Sequence, residues 1–174
     1  MDYTNQKNEW IETAKAVILT VFIAFILQSF VLSTSIVEGE SMEPTLKSGN
    51  RIIFNKIVYL WGTPARGDVV IIEQEKKNYV KRIIALPEET IEIRNHVIYI
   101  DNKPIEQNYL PDQYINRTAN YGPITVPEDS YFVMGDNRGI SKDSRNGLGF
   151  IKEDEIIGRS EIIIYPFSDW ARTK

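Results

Sequence analysis

The chain has 174 residues, 20 basic against 24 acidic side chains, a net charge of −4, one histidine and no cysteine. The acidic balance and the lack of a basic block argue against a nucleic-acid binder. Without cysteine there are no disulfides, thiol nucleophiles or thiolate metal sites. No spacing of Asp or Glu suggests a metal centre, and neither a metal nor a cofactor is expected.

In chain order, Ala16–Val37 comes first as 22 consecutive uncharged residues. As a helix this run would be roughly 33 Å long, enough for a hydrocarbon core of about 30 Å. The expected organisation is a cytoplasmic segment at 1–15, a transmembrane anchor helix at 16–35 and an extracytoplasmic β-rich domain at 36–174. Lys7 and Lys15 precede the run and no Lys or Arg follows until Lys47, which favours a cytoplasmic N-terminus. The competing reading is a cleaved secretory signal ending at Ser33-Thr34-Ser35. Asp2, Glu9 and Glu12 before the run, and its length, favour a retained anchor.

Beyond the anchor the sequence reads as strands. Arg51–Phe54, Val69–Glu73 and Tyr79–Ala85 are short and rich in β-branched residues. Thr90–Arg94 and Val97–Ile100 flank Asn95-His96, a two-residue hairpin loop. Asn108–Pro127 has no clear periodicity and is read as loop. Ser130–Met134 and Glu161–Tyr165 supply late strands, and Lys152–Ile157 one helical turn. The fold class is therefore mainly β: one N-terminal helix, then one mostly antiparallel β domain.

Two residues stand out chemically. Ser41, in Gly39-Glu40-Ser41-Met42-Glu43-Pro44-Thr45-Leu46, sits on an exposed turn, because Pro44 disfavours helical geometry at Glu43. A serine hydroxyl needs a base beside it, and Lys81 is the plausible one. By strand alternation Lys81 shares a face with Tyr79, Ile83 and Ala85, where lost hydration lowers a lysine pKa. An acyl-transfer oxyanion would fall near the Ser41 N–H. His96, the rival base, stands at a hairpin tip. Tyr59-Leu60-Trp61 is either ordinary core or a segment dipping into lipid.

Four segments, Ser41–Leu46, Arg66-Gly67-Asp68-Val69-Val70, Tyr79-Val80-Lys81-Arg82 and Gly135-Asp136-Asn137-Arg138 with Ser141-x-Asp143-Ser144-Arg145, resemble type I signal peptidases in type and order. The short length and single anchor are most similar to the Gram-positive bacterial members. The resemblance implies a coiled β fold of the signal-peptidase type and a membrane-anchored serine endopeptidase. Ser41 would be the nucleophile and Lys81 the base. Ser141 would donate to the lysine amine, Asp143 and Arg145 would brace the loop, and Arg82 would pair with Asp136. The partners implied are the lipid bilayer and the signal peptides of exported preproteins, with small residues at the first and third positions before the cut. The implied location is the bacterial cell membrane, single-pass. The sequence departs from the family pattern at Gly39, where some members carry a serine, at Gly139-Ile140, and at Pro87-Glu88-Glu89 in place of Pro-Gly-Asp. Two other readings remain: a Ser–Lys protease of the self-cleaving repressor type, and a non-catalytic exported β binding module. A module of the latter kind would hold Ser41 and Lys81 apart.

Overall fold

A computed structural model describes residues 3–26, 31–74 and 77–173. Helix α1 runs Tyr3–Ile26. Its described uncharged part, residues 16–26, is about 17 Å long, roughly half a bilayer core, and residues 27–30 of the expected anchor lie outside the described residues. Among the described residues no helix is long and apolar enough to cross a membrane. Residues 32–35, expected to close the anchor helix, belong instead to strand β1 (Leu32–Ile36), which pairs antiparallel with β2 (Arg51–Asn55). Lack of charge made Leu32-Ser33-Thr34-Ser35-Ile36 look like a continuation of the apolar run. Its Thr, Ile and alternating polarity are strand features.

The β domain is built from two antiparallel sheets. The larger also contains β3 (Val69–Gln74), β4 (Lys77–Ala85), β9 (Ser130–Met134), β10 (Ile151–Lys152) and β11 (Ile156–Tyr165). Its order is β1-β2-β11-β3-β4-β9-β10. The register of β11 shifts against both β2 and β3, and that of β4 against β9. Such bulges add twist. The sheet curls until residues of β1 and β4, separated by three strands in the order, line one cleft.

The smaller sheet, in the order β7-β6-β5-β8, comprises β5 (Thr90–Arg94), β6 (Val97–Ile100), β7 (Lys103–Pro104) and β8 (Tyr121–Thr125). Ile91, Ile93, Ile98 and Ile100 alternate inward and pack with Ile84, Ala85, Phe132 and Met134. The far end of β4 thus enters the core beneath the second sheet. The β5–β6 turn carries positive φ at Asn95 and His96, as a two-residue hairpin of the mirror-image type requires.

Two elements lie inside the segment expected to be loop. Helix α2 is one turn, Asp112–Ile115. Strand β8 contains Gly122-Pro123, which hides it from a pattern reading. It is tolerated there because β8 is an edge strand, where a missing N–H costs no ladder bond. Gly122 has φ +79, and a Cβ on it would overlap the Ile91 carbonyl. Glu88, at the departure from Pro-Gly-Asp, has φ +66, a conformation glycine adopts more readily. The adjoining Glu89 accepts from Arg66 Nη2 at 2.5 Å and from Leu86 N at 2.7 Å.

Candidate active site

The Ser41 turn is pinned from below. Met42 and Leu46 are fully buried with Val37, Ile52, Val69 and Ile163. The Leu46 N–H donates to the Met42 carbonyl at 2.9 Å. Ser41, between these anchors and Gly39 at φ +85, stays partly exposed. Its carbonyl accepts from the Asn137 N–H at 3.0 Å, which ties the turn to the 135–145 loop. Its own N–H has no hydrogen-bond partner among the described residues and is free to meet an oxyanion.

Lys81 enters from β4, opposite Val70 of β3. It is 2% exposed. Its Nζ lies 2.7 Å from Ser41 Oγ and 2.9 Å from the Val80 carbonyl oxygen. Burial lowers its pKa from 10.5 to about 8, and the charges of Asp143 and Asp136 only partly oppose that. At pH 7 about a tenth of such amines are neutral, against roughly one in three thousand at the ordinary value.

Arg82, the next residue, points to the opposite face and is 1% exposed. Its Nε donates to Asp136 Oδ1 at 2.9 Å and its Nη2 to Asp136 Oδ2 at 2.7 Å, a bidentate pair. Nη1 donates to the Gly67 carbonyl at 2.8 Å. Asp136 Oδ2 also accepts from Thr45 Oγ1 at 2.5 Å. The Arg82–Asp136 pair therefore fastens β4, the Ser41 turn and the 135–145 loop together.

In that loop, Asp143 is fully buried and accepts from the Gly135 N–H at 3.0 Å. It also accepts from Arg145 Nε at 2.8 Å and from Arg145 Nη2 at 2.7 Å. Burial works to raise its pKa, but Arg145 and the Gly135 N–H outweigh that and hold it below the usual carboxylate value. Arg145 Nη2 also donates to the Arg138 carbonyl at 2.9 Å. Ser141 is 1% exposed, and its Oγ makes no hydrogen bond of ordinary geometry among the described residues, though it stands near enough to Asp143 to help hold that carboxyl's pKa down. The bond from Ser141 to the lysine amine that the resemblance implies is not formed in this structure. The hydroxyl instead lies against Gly135, where an added Cβ would overlap both Ser141 Oγ and the Ser41 carbonyl.

The sequence reading missed several residues that hold this arrangement. Gly135 permits the close approach just described. Thr45 and Asn137 join the turn to the loop. Tyr109, from the segment after β7, places its ring 4.1 Å from the Arg82 guanidinium carbon, and its hydroxyl accepts from Arg138 Nη2 at 3.0 Å. Gln107 accepts from Arg138 Nη1. Gly135 and Thr45 stand inside quoted motifs, but nothing in the sequence pairs Tyr109 with residues 27 or more positions away. His96, at its hairpin tip, donates from Nδ1 to the Thr118 carbonyl at 2.7 Å, so it serves the second sheet. Tyr59 packs against core and donates to Asp68 at 2.9 Å, whereas Leu60 and Trp61 are exposed.

A cleft of about 470 Å³ opens onto Ser41 and Lys81, walled by Ser35–Glu38 on one side and Lys77–Val80 on the other. The chain matches the family described as signal peptidase, peptidase S26, over residues 10–165. The chain belongs to that family. It is accordingly a hydrolase of peptide bonds. It is 41% identical to signal peptidase I of Bacillus licheniformis, over 98% of this chain and 96% of that one. It is 42% identical to signal peptidase I T of Bacillus subtilis, over 96% and 91%. A crystal structure of a signal peptidase I from Enterococcus faecalis is 32% identical, with a TM-score of 0.52, covering 56% of this chain and 97% of that one.

Proposed function

We propose that this chain is a membrane-anchored endopeptidase that removes signal peptides from exported preproteins with a Ser41–Lys81 dyad. The observation that carries this is a buried lysine amine 2.7 Å from a serine hydroxyl at the floor of an open cleft. A non-catalytic module would have no reason to hold the two tips together, and the family match stands against a self-cleaving repressor. With a peptide bound in the cleft, neutral Lys81 takes the Ser41 proton as Oγ attacks the scissile carbonyl. The Ser41 N–H faces the developing oxyanion. The new ammonium then protonates the leaving amine, and water, deprotonated by the same amine, releases the acyl group. Asp136, Asp143, Arg82 and Arg145 hold the turn and loop, and Ser141 fills the space beside Gly135.

The cleft suits an extended peptide. In β4, Lys77–Lys81 project beyond the residues paired with β9, and β1 is the first strand of its sheet. Both edges offer backbone groups to a strand added between them. Ile36, Val37, Met42 and Val80 line the cleft near the dyad, which suits small apolar side chains beside the cut. For the anchor, Val17, Ile18, Leu19, Val21, Phe22, Ile23 and Phe25 are all exposed on α1, leaving an apolar surface around the helix for lipid to cover. Its N-terminus would be cytoplasmic and the β domain outside, where added protease should degrade the domain in intact protoplasts.

Cleavage of a preprotein by wild type, Ser41→Ala and Lys81→Arg tests the dyad. Both variants should lose activity by at least about a hundredfold, since guanidinium stays protonated, while His96→Ala should stay near wild type. Activity retained in Lys81→Arg and lost in His96→Ala would overturn the assignment.

A further inference from the structure

Beside the cleft lies a second, polar pocket of about 350 Å³, lined by Gln74, Tyr79, Lys142, Gly147 and Glu155. Tyr79 lines both spaces, so a peptide in the cleft has the pocket next to it. Lys142 stands between Ser141 and Asp143, both buried. The Ser141 N–H donates to the Asn137 carbonyl at 3.1 Å and the Asp143 N–H to Asn146 Oδ1 at 2.9 Å. The position of Lys142 is thereby set by the same loop that braces the dyad.

Its side chain is placed as well. The stem lies over Gly147, which has φ +137; a Cβ there would come within 2.9 Å of Lys142 Cε. Its Nζ sits 5.9 Å from the Tyr79 ring centroid, within cation–π range. The ammonium makes no ion pair among the described residues. Glu155, the carboxylate on the pocket wall, keeps its charge, but its Oε2 is held by the Lys152 N–H at 2.7 Å and it makes no ion pair with Lys142. Among the described residues the pocket thus offers one cation without an ion pair, Lys142, with the Tyr79 hydroxyl and the Gln74 carboxamide as further donors.

We propose that Lys142 forms, with Tyr79 and Gln74, a subsite for an acidic side chain of the substrate close to the scissile bond. This rests on the peptidase reading of the cleft. A carboxylate there would meet the ammonium directly, and a basic side chain would be repelled by it. Because the pair is open to solvent, the preference should be modest, roughly two- to fivefold in kcat/KM, and should shrink as salt screens it.

The test uses the full chain in detergent micelles and peptides with a small-x-small cleavage site. Matched Asp and Asn versions are made at each position from the third before the cut to the third after it. Wild type should prefer Asp over Asn at one position by that factor at low salt. Lys142→Arg should keep the preference, Lys142→Gln should abolish it, and Lys142→Glu should reverse it in favour of Lys at the same position. Equal rates for every Asp and Asn pair, or a preference that survives Lys142→Gln, would overturn the subsite. Failure of wild type to cleave any of the Asn peptides would overturn the peptidase reading itself.

Discussion

Lys81 and Arg82 are neighbours on one strand, both basic and both all but inaccessible to solvent, yet the structure treats their charges in opposite ways. Arg82 faces a bidentate carboxylate, a backbone carbonyl and an aromatic ring, so its charge is kept. Lys81 faces a hydroxyl and a carbonyl, so its charge is discouraged. Alternation along β4 turns consecutive side chains to opposite faces, and one face is built for a cation while the other is built for a base. Guanidinium suits the first role because it cannot be deprotonated in proteins. An ammonium suits the second because burial readily shifts it. The lesson is that burial alone does not decide the state of a basic group; the partner supplied with it does.

The comparison can be broken first at Arg82. Arg82→Met strands Asp136 as an uncompensated buried charge and should cost about 3–5 kcal/mol of stability, read from denaturant unfolding. A loss below 1 kcal/mol would mean that the pair does not hold the site together.

The mirror experiment is Lys81→Met, which should raise stability while removing activity. The folded pKa, about 8, lies below the unfolded value of 10.5, so the burial cost is fully present below pH 8. It fades as the pH rises from about 8 to about 10.5. The variant should therefore be more stable by about 3 kcal/mol at pH 7, an advantage that all but disappears by pH 10.5. An advantage independent of pH would show that methionine packing, not charge burial, is responsible.

A smaller effect should follow at Tyr109. Tyr109→Leu removes the ring over Arg82 and the acceptor for Arg138, and should cost about 1–3 kcal/mol. Tyr109→Phe keeps the ring and should cost about 1 kcal/mol. Equal losses in thermal unfolding for the two variants would assign the whole effect to the hydroxyl.

The Ser41–Lys81 pairing was legible chiefly through the four motifs that resemble the signal peptidases; one histidine and no cysteine only narrowed the choice of base. The Arg82–Asp136 pair was legible for the same reason, since both residues stand in those motifs with opposite charges. What the sequence hid was geometry created by distance along the chain. Strand β1 is polar enough to be a strand yet uncharged enough to read as membrane helix. Strand β8 carries a Gly-Pro step that only an edge position tolerates. Tyr109 comes from the segment after β7 and reaches Arg82 only through the tertiary packing of both sheets. The place of the Ser141 hydroxyl, against Gly135 rather than on the lysine amine, could not be foreseen either, because it depends on how closely Gly135 lets the loop approach Ser41.

The central claim is that Lys81 is a neutral-capable base held against Ser41, and titrating that one amine tests it most directly. With the chain labelled at lysine Cε and the Lys81 resonance assigned by comparison with Lys81→Met, NMR should show a single titration near pH 8. The account requires kcat/KM to rise through the same midpoint. A Lys81 midpoint at or above the ordinary value of 10.5 would contradict it.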